Sequence, residues 1–130
     1  MKKDIAGRED VSLLVHTFYK KVRANKDIGF FFNETINDWD EHLAKLTDFW
    51  ESNLFLVQKF KGRPGRAHIE VDYKYEHKIE AYHFGVWLNL WFETLDELFE
   101  GPLAERAKNH ARNLGHNFFM KIFSVRPKQA

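Results

Sequence analysis

The segment Trp39–Trp50 (WDEHLAKLTDFW) holds the residues best suited to chemistry. Wound as a helix, it sets His42, Leu46 and Phe49 on one face, at spacings of four and three. A single imidazole at the edge of an apolar, aromatic stripe predicts a dry pocket with one polar contact. A second histidine, His68, follows the break Gly62–Arg63–Pro64–Gly65. Two imidazoles on opposite sides of a flat apolar slot meet the needs of a haem: one holds the iron, the other faces a bound gas.

His68 is the first candidate for the iron ligand, and an exposed loop histidine is the plain alternative. Three features favour the ligand reading. The Gly-Pro-Gly break turns the chain, Ile69 and Val71 can pack under a porphyrin, and Lys59, Lys61, Arg63 and Arg66 are close enough in sequence to meet two propionates. The same basic group also reads as a solvated face. A neutral imidazole near pH 7 is a sound iron ligand, since its free pKa is about 6.5. His83, one turn before Trp87, is a rival that spacing alone does not exclude. His16, His77, His110 and His116 read as surface or helix-edge residues.

Other metal chemistries fit poorly. No two of the seven histidines lie three or four apart, and HExxH is absent. Glu80–His83 supplies one Glu-x-x-His, whereas a di-iron bundle needs two copies and two further glutamates. Two more polar side chains stand in apolar surroundings. Tyr19 follows Phe18 in the first helix; its hydroxyl suits a backbone carbonyl or a bound dioxygen. Trp87 offers an indole N–H, which can only donate, although a core tryptophan is an equal reading.

The elements that must position these groups are helices. Val11, Leu14, Val15, Phe18, Tyr19 and Val22 recur at helical steps and predict a first helix over Glu9–Ala24, opened by acidic Glu9 or Asp10 and stopped near Asn25. A short apolar piece, Ile28–Asn33, precedes a second long helix over Asp38–Gln58. Ile69–Tyr75 alternates like a strand but has nothing to pair with, so it reads as a loop. A third long helix spans Tyr75–Phe99, and Pro102 opens a last one that runs to Phe123. The expectation is an all-α fold in one domain covering 1–130, with about eight residues at the start and about six at the end frayed.

Composition narrows the functional classes. A chain of 130 residues can bury a real core. Thirteen Phe, four Trp and four Tyr can fill that core or line a pocket for a large flat cofactor. With no cysteine, disulfides, thiolate metal sites and cysteine nucleophiles are excluded. A formal charge of +1 gives no global attraction to nucleic acid. The polar start Met1–Lys2–Lys3–Asp4 does not read as a signal peptide, and no apolar run approaches membrane-spanning length. Cytoplasmic residence, with no nucleic-acid or membrane partner, is the expectation.

Taken together, FYKKVR at 18–23, EHLAKL at 41–46 with Phe49–Trp50, Gly62–Arg63–Pro64 leading to His68, and HFGVWLNLWFE at 83–93 resemble the truncated haemoglobins of group III. The order and spacing of these pieces, over about residues 9–118, carry the resemblance. It implies a two-over-two helical sandwich around haem b (iron protoporphyrin IX). It implies His68 as iron ligand, Tyr19 and Trp87 as distal residues contacting the ligand, and His42 as the distal histidine. Leu46, Phe49 and Trp50 match the distal wall, and Phe32 matches the aromatic on the porphyrin face, with Phe31 one step away. Lys45 is the implied propionate partner, joined by Arg63 and Arg66, with Ile69 beneath the macrocycle. The segment Ile69–Lys74 departs from the family's apolar, proline-rich pattern, and the Gly-Gly pairs of groups I and II are absent.

The implied function is reversible binding of dioxygen, nitric oxide and carbon monoxide. Three potential donors (Tyr19, His42, Trp87) also suit a haem enzyme that oxidises nitric oxide or acts like a peroxidase, served by an electron-donating reductase. A third class is a cofactor-free helical interaction domain of globin shape.

Overall fold

The computed structural model describes residues 2–56 and 81–125, side chains at 81 and 118–125 excepted. Five helices make up the described residues: α1 (Arg8–Ala24), α2 (Gly29–Asn33), α3 (Trp39–Phe55), α4 (Ala81–Leu98) and α5 (Pro102–Val125). The stretch expected to carry His68, Ile69, Arg63 and Arg66, with the loop Ile69–Tyr75, lies outside the described residues, as do the first turn expected for α4 and the tail Arg126–Ala130.

α1 owes its place to an unusually wide apolar face. Val11, Leu14, Val15, Phe18, Tyr19 and Val22 are all buried, and the helix packs on both α3 and α4. α4 in turn lies on α5, and α5 touches α3, so the pairs α1–α3 and α4–α5 form two stacked layers. Trp91 and Leu95 of α4 are wholly enclosed; burying such side chains contributes about 1.5–3 kcal/mol each. Ala104, Ala107 and Ala111, three and four residues apart, form a small-residue face on α5 that is fully buried. A helix ridge without bulky side chains lets α4 come close, and the Trp91 indole N–H donates to the Ala107 carbonyl at 3.1 Å.

Local chemistry sets the helix ends. Asp38 caps α3 by accepting from the Glu41 N–H at 3.1 Å. α3 stops at Phe55 because Leu56 adopts the left-handed conformation (φ 58°), three residues before the expected end at Gln58. α2 starts against α1 at Gly29: a Cβ there would stand 2.7 Å from the Arg23 carbonyl oxygen, so this approach requires glycine. Arg8 binds Asp48 and the buried Glu51, both at 2.7 Å, and so ties α1 to α3 while neutralising an enclosed carboxylate.

Part of the N-terminal segment packs against the start of α5. Ile5 is buried, and the Asp4 carboxylate accepts from the backbone N–H groups of Leu103 and Ala104 at 2.9 and 3.0 Å. These are orphan donors at the start of α5, and Asp4 caps them from the far end of the chain. Gly101, at φ 142°, makes room: a Cβ there would lie 2.6 Å from Asp4 Cγ. Asp4→Ala should therefore lower unfolding free energy by about 1–2 kcal/mol. A urea midpoint unchanged from wild type would show that solvent satisfies these donors equally well.

Candidate distal site

The site is built where α1, α2 and α3 converge on the start of α4. Phe18 and Tyr19 are adjacent, yet both are buried, because α1 is covered on two sides. Phe18 points into the core, edge-on to Trp91 at 4.8 Å and Trp87 at 5.7 Å between ring centroids. Tyr19 turns toward α2 and α3. Its ring meets His42 at 5.9 Å, Phe32 at 5.9 Å and Trp39 at 6.0 Å. Trp39 and His42, three residues apart on α3, meet edge-on at 5.6 Å.

The Trp87 indole N–H acts on the Tyr19 hydroxyl as a donor, since indole nitrogen only donates. Burial pushes the Tyr19 pKa up to about 12, opposed by the Trp87 hydrogen bond. The hydroxyl is therefore held as a neutral donor. Tyr19, Trp87 and His42 are the polar tips of the cluster.

The apolar surroundings are assembled from three helices. Leu46 and Phe49 on α3, Phe84, Trp87 and Leu88 on α4, and Phe32 on α2 pack against the core yet stay only partly buried. Phe32 is the α2 aromatic that meets Tyr19, whereas Phe31 packs against Phe30 at 4.1 Å and His83 at 5.0 Å. Gly115 of α5 admits Trp87 and Phe84, which lie 3.9 and 4.0 Å from where its Cβ would stand.

Not every expected residue joins this cluster. Trp50 is 3% exposed and stacks on Trp91 at 4.4 Å in the core. Lys45 is exposed and pairs with Glu41 at 3.0 Å along the outside of α3. His68, Arg63, Arg66 and Ile69 fall outside the described residues. The rival histidine, His83, sits edge-on to Phe31, beside Tyr82, whose hydroxyl donates to Asp27 at 2.9 Å. Two residues were not singled out from sequence. Trp39 walls in Tyr19 and is itself covered by the Arg23 guanidinium at 4.3 Å; its three-residue spacing to His42 was the available signal. His110 packs on Trp50 at 5.6 Å and Phe49 at 6.2 Å. An open groove of about 470 Å³ reaches the outer side of Tyr19 and Trp39, bordered by His16, Lys20 and Arg23.

The described residues contain no cluster of three or more His, Cys, Asp or Glu able to hold a metal by themselves. None of their helices is long and apolar enough to cross a membrane. A two-layer arrangement of long helices, with an aromatic-walled polar cluster between α1, α3 and α4, is the architecture of a truncated globin.

No family model matches the chain. It is 28% identical over 122 residues to the group 3 truncated hemoglobin ctb of Campylobacter jejuni, a match covering 91% of this chain and 92% of that protein. The crystal structure of a group III truncated hemoglobin from Campylobacter jejuni superposes with a TM-score of 0.84 at 26% identity, over 98% of this chain and 100% of that one. The resemblance read from the sequence thus extends over most of the chain and holds in three dimensions: the chain is similar to group III truncated hemoglobins.

Raising the Tyr19 pKa makes stability depend on alkaline pH. The folded value lies above the unfolded value of 10.0, so this contribution is intact below about pH 10 and is lost as pH rises toward 12. Alkaline denaturation of Tyr19→Phe should lack that component of the slope between those limits. An identical slope in both proteins would show the hydroxyl is not held neutral by burial.

Proposed function

We propose that this protein binds haem b and uses it to bind dioxygen and other diatomic gases reversibly. One observation carries the reading: a buried tyrosine hydroxyl, held neutral by burial beside an indole N–H, stands in an apolar, aromatic cluster that also holds an imidazole. The group's fit is supported by Leu46, Phe49, Phe84, Trp87 and Leu88, apolar side chains anchored in the core but left partly uncovered, as a flat macrocycle needs. The similarity to group III truncated haemoglobins supports the same cofactor. Bound haem would supply an iron centre able to take a diatomic ligand.

This chain's own residues then have distinct tasks. His68 is proposed to hold the iron. Arg63 and Arg66 are proposed partners for the propionates, and Ile69 a contact beneath the macrocycle. Tyr19 donates to the bound gas. Accepting from Trp87 polarises its O–H and strengthens that donation, since hydrogen bonds in a chain reinforce one another. His42 brings a second polar tip from α3 and, with Trp39, fences the tyrosine ring. Phe32, Leu46 and Phe49 exclude water, which keeps the donor from being spent on solvent.

A second reading is oxidation of nitric oxide by bound dioxygen, with a reductase partner restoring the iron. The polarised donor supports it, because drawing charge toward the distal oxygen assists O–O chemistry as well as retention. Nitrate formation when the oxygenated protein meets nitric oxide separates this from simple binding.

Purified chain given haemin should acquire a strong Soret band that sharpens on reduction under carbon monoxide. His68→Ala should lose the band or shift it, and His83→Ala should keep it. The opposite pattern would move the ligand to α4, and a protein whose spectrum and stability ignore haemin would leave only a cofactor-free helical domain. In the loaded protein, Tyr19→Phe should raise the dioxygen release rate by about 10- to 100-fold, equivalent to about 1.5–3 kcal/mol for a hydrogen bond to a charged acceptor. An unchanged rate would remove Tyr19 as the donor.

A further inference from the structure

Three of the four tryptophans lie in one row. Trp87 and Trp91, four residues apart on α4, have parallel rings (1°) with centroids 6.5 Å apart. Trp91 then stacks on Trp50 of α3 at 4.4 Å and 25°. At one end of the row Trp87 meets Phe18 edge-on at 5.7 Å, and Phe18 meets Tyr19 of the candidate site at 4.8 Å. At the other end Trp50 meets His110, a half-buried residue of α5, at 5.6 Å. The row thus crosses the molecule, from the distal site through the core to the outer edge of α5.

We propose that Trp87, Trp91 and Trp50 form an electron relay between the distal pocket and the surface beside His110, carrying single electrons inward to quench oxidants generated at the pocket. Indole is among the side chains most readily oxidised by one electron, and short hops between touching rings outpace a single long jump. The balance is simple. A one-electron oxidant in the pocket takes an electron from Trp87. Trp91 refills Trp87, Trp50 refills Trp91, and an external one-electron donor such as ascorbate refills Trp50. No bond forms or breaks along the row. A hydroperoxide taken to water and alcohol draws two such electrons and two protons, the protons coming from solvent. The source of that oxidant rests on the haem reading above; the relay itself does not.

Two details fit transport better than packing alone. Trp91 donates its N–H to the Ala107 carbonyl at 3.1 Å. A carbonyl stabilises the positive charge on an oxidised ring but is too weak a base to take its proton, so the charge is passed on. Trp39, the fourth tryptophan, stands apart from the row with the Arg23 guanidinium 4.3 Å above it. That cation disfavours positive charge on the Trp39 ring and makes it an internal control.

The absence of cysteine permits a test that needs no haem. Asn113 is exposed and lies one turn from His110 on α5. Asn113→Cys in the full chain can carry a single ruthenium photosensitiser, which is flash-oxidised with a quencher. The expected result is oxidation of Trp50, Trp91 and Trp87, mapped by mass spectrometry, with Trp39 left at the level of unlabelled protein. Trp91→Phe should keep oxidation at Trp50 and drop Trp87 to that background level, with helical circular dichroism intact. Trp50→Phe should drop both inner rings. Oxidation of Trp87 that persists in both variants, or is absent from the labelled parent, overturns the relay. If Trp91→Phe does not fold, Trp50→Phe decides alone. The Soret spectrum of the same preparations reports separately on the haem reading.

Discussion

Burying the hydroxyl of Tyr19 is the constraint around which the described structure is arranged. A phenol enclosed without a partner costs several kcal/mol, and the position is enclosed because α1 is covered on two sides. The Trp87 indole N–H, on α4, opposes that burial. Four residues on, Trp91 enters the core and donates its N–H to the Ala107 carbonyl. Placement of α5 follows, since only a helix with alanines at 104, 107 and 111 can approach closely enough.

Two effects act on Tyr19 in opposite directions. Burial pushes its pKa up, and the Trp87 indole, which can only donate, pulls it back. His42 stands beside Tyr19 from α3, and its edge-on contacts with Tyr19 and Trp39 hold both rings against it.

The parts of this arrangement that repeat along one helix were legible in the sequence. The stripe from Val11 to Val22 gave α1 to within a residue of its start, and His42, Leu46 and Phe49 were correctly placed on one face of α3. What escaped was long-range or conformationally unusual. Asp4 caps a helix that begins about a hundred residues later, and no local pattern marks a carboxylate for that task. Leu56 ends α3 in a left-handed conformation that favours glycine or asparagine, so the apolar periodicity ran past the true boundary. Trp50 follows Phe49 in sequence. One step along a helix turns a side chain by about 100°, enough to send Trp50 into the core against Trp91. His110 had no apolar run to announce it, yet its ring closes over Trp50.

That last contact shows why a small domain links its site to its core so directly. With two helical layers there is no room for a separate shell of packing residues behind the distal cluster. Phe18 touches Tyr19 on one side and both Trp87 and Trp91 on the other. Phe18, which meets Tyr19, is thus also a core ring, and the stacked core rings reach His110 of α5. In a thicker protein, insulating aliphatic layers would separate an oxidising centre from the outer surface. Here the aromatic rings that fill a thin core stack in a row from Trp87 through Trp91 to Trp50.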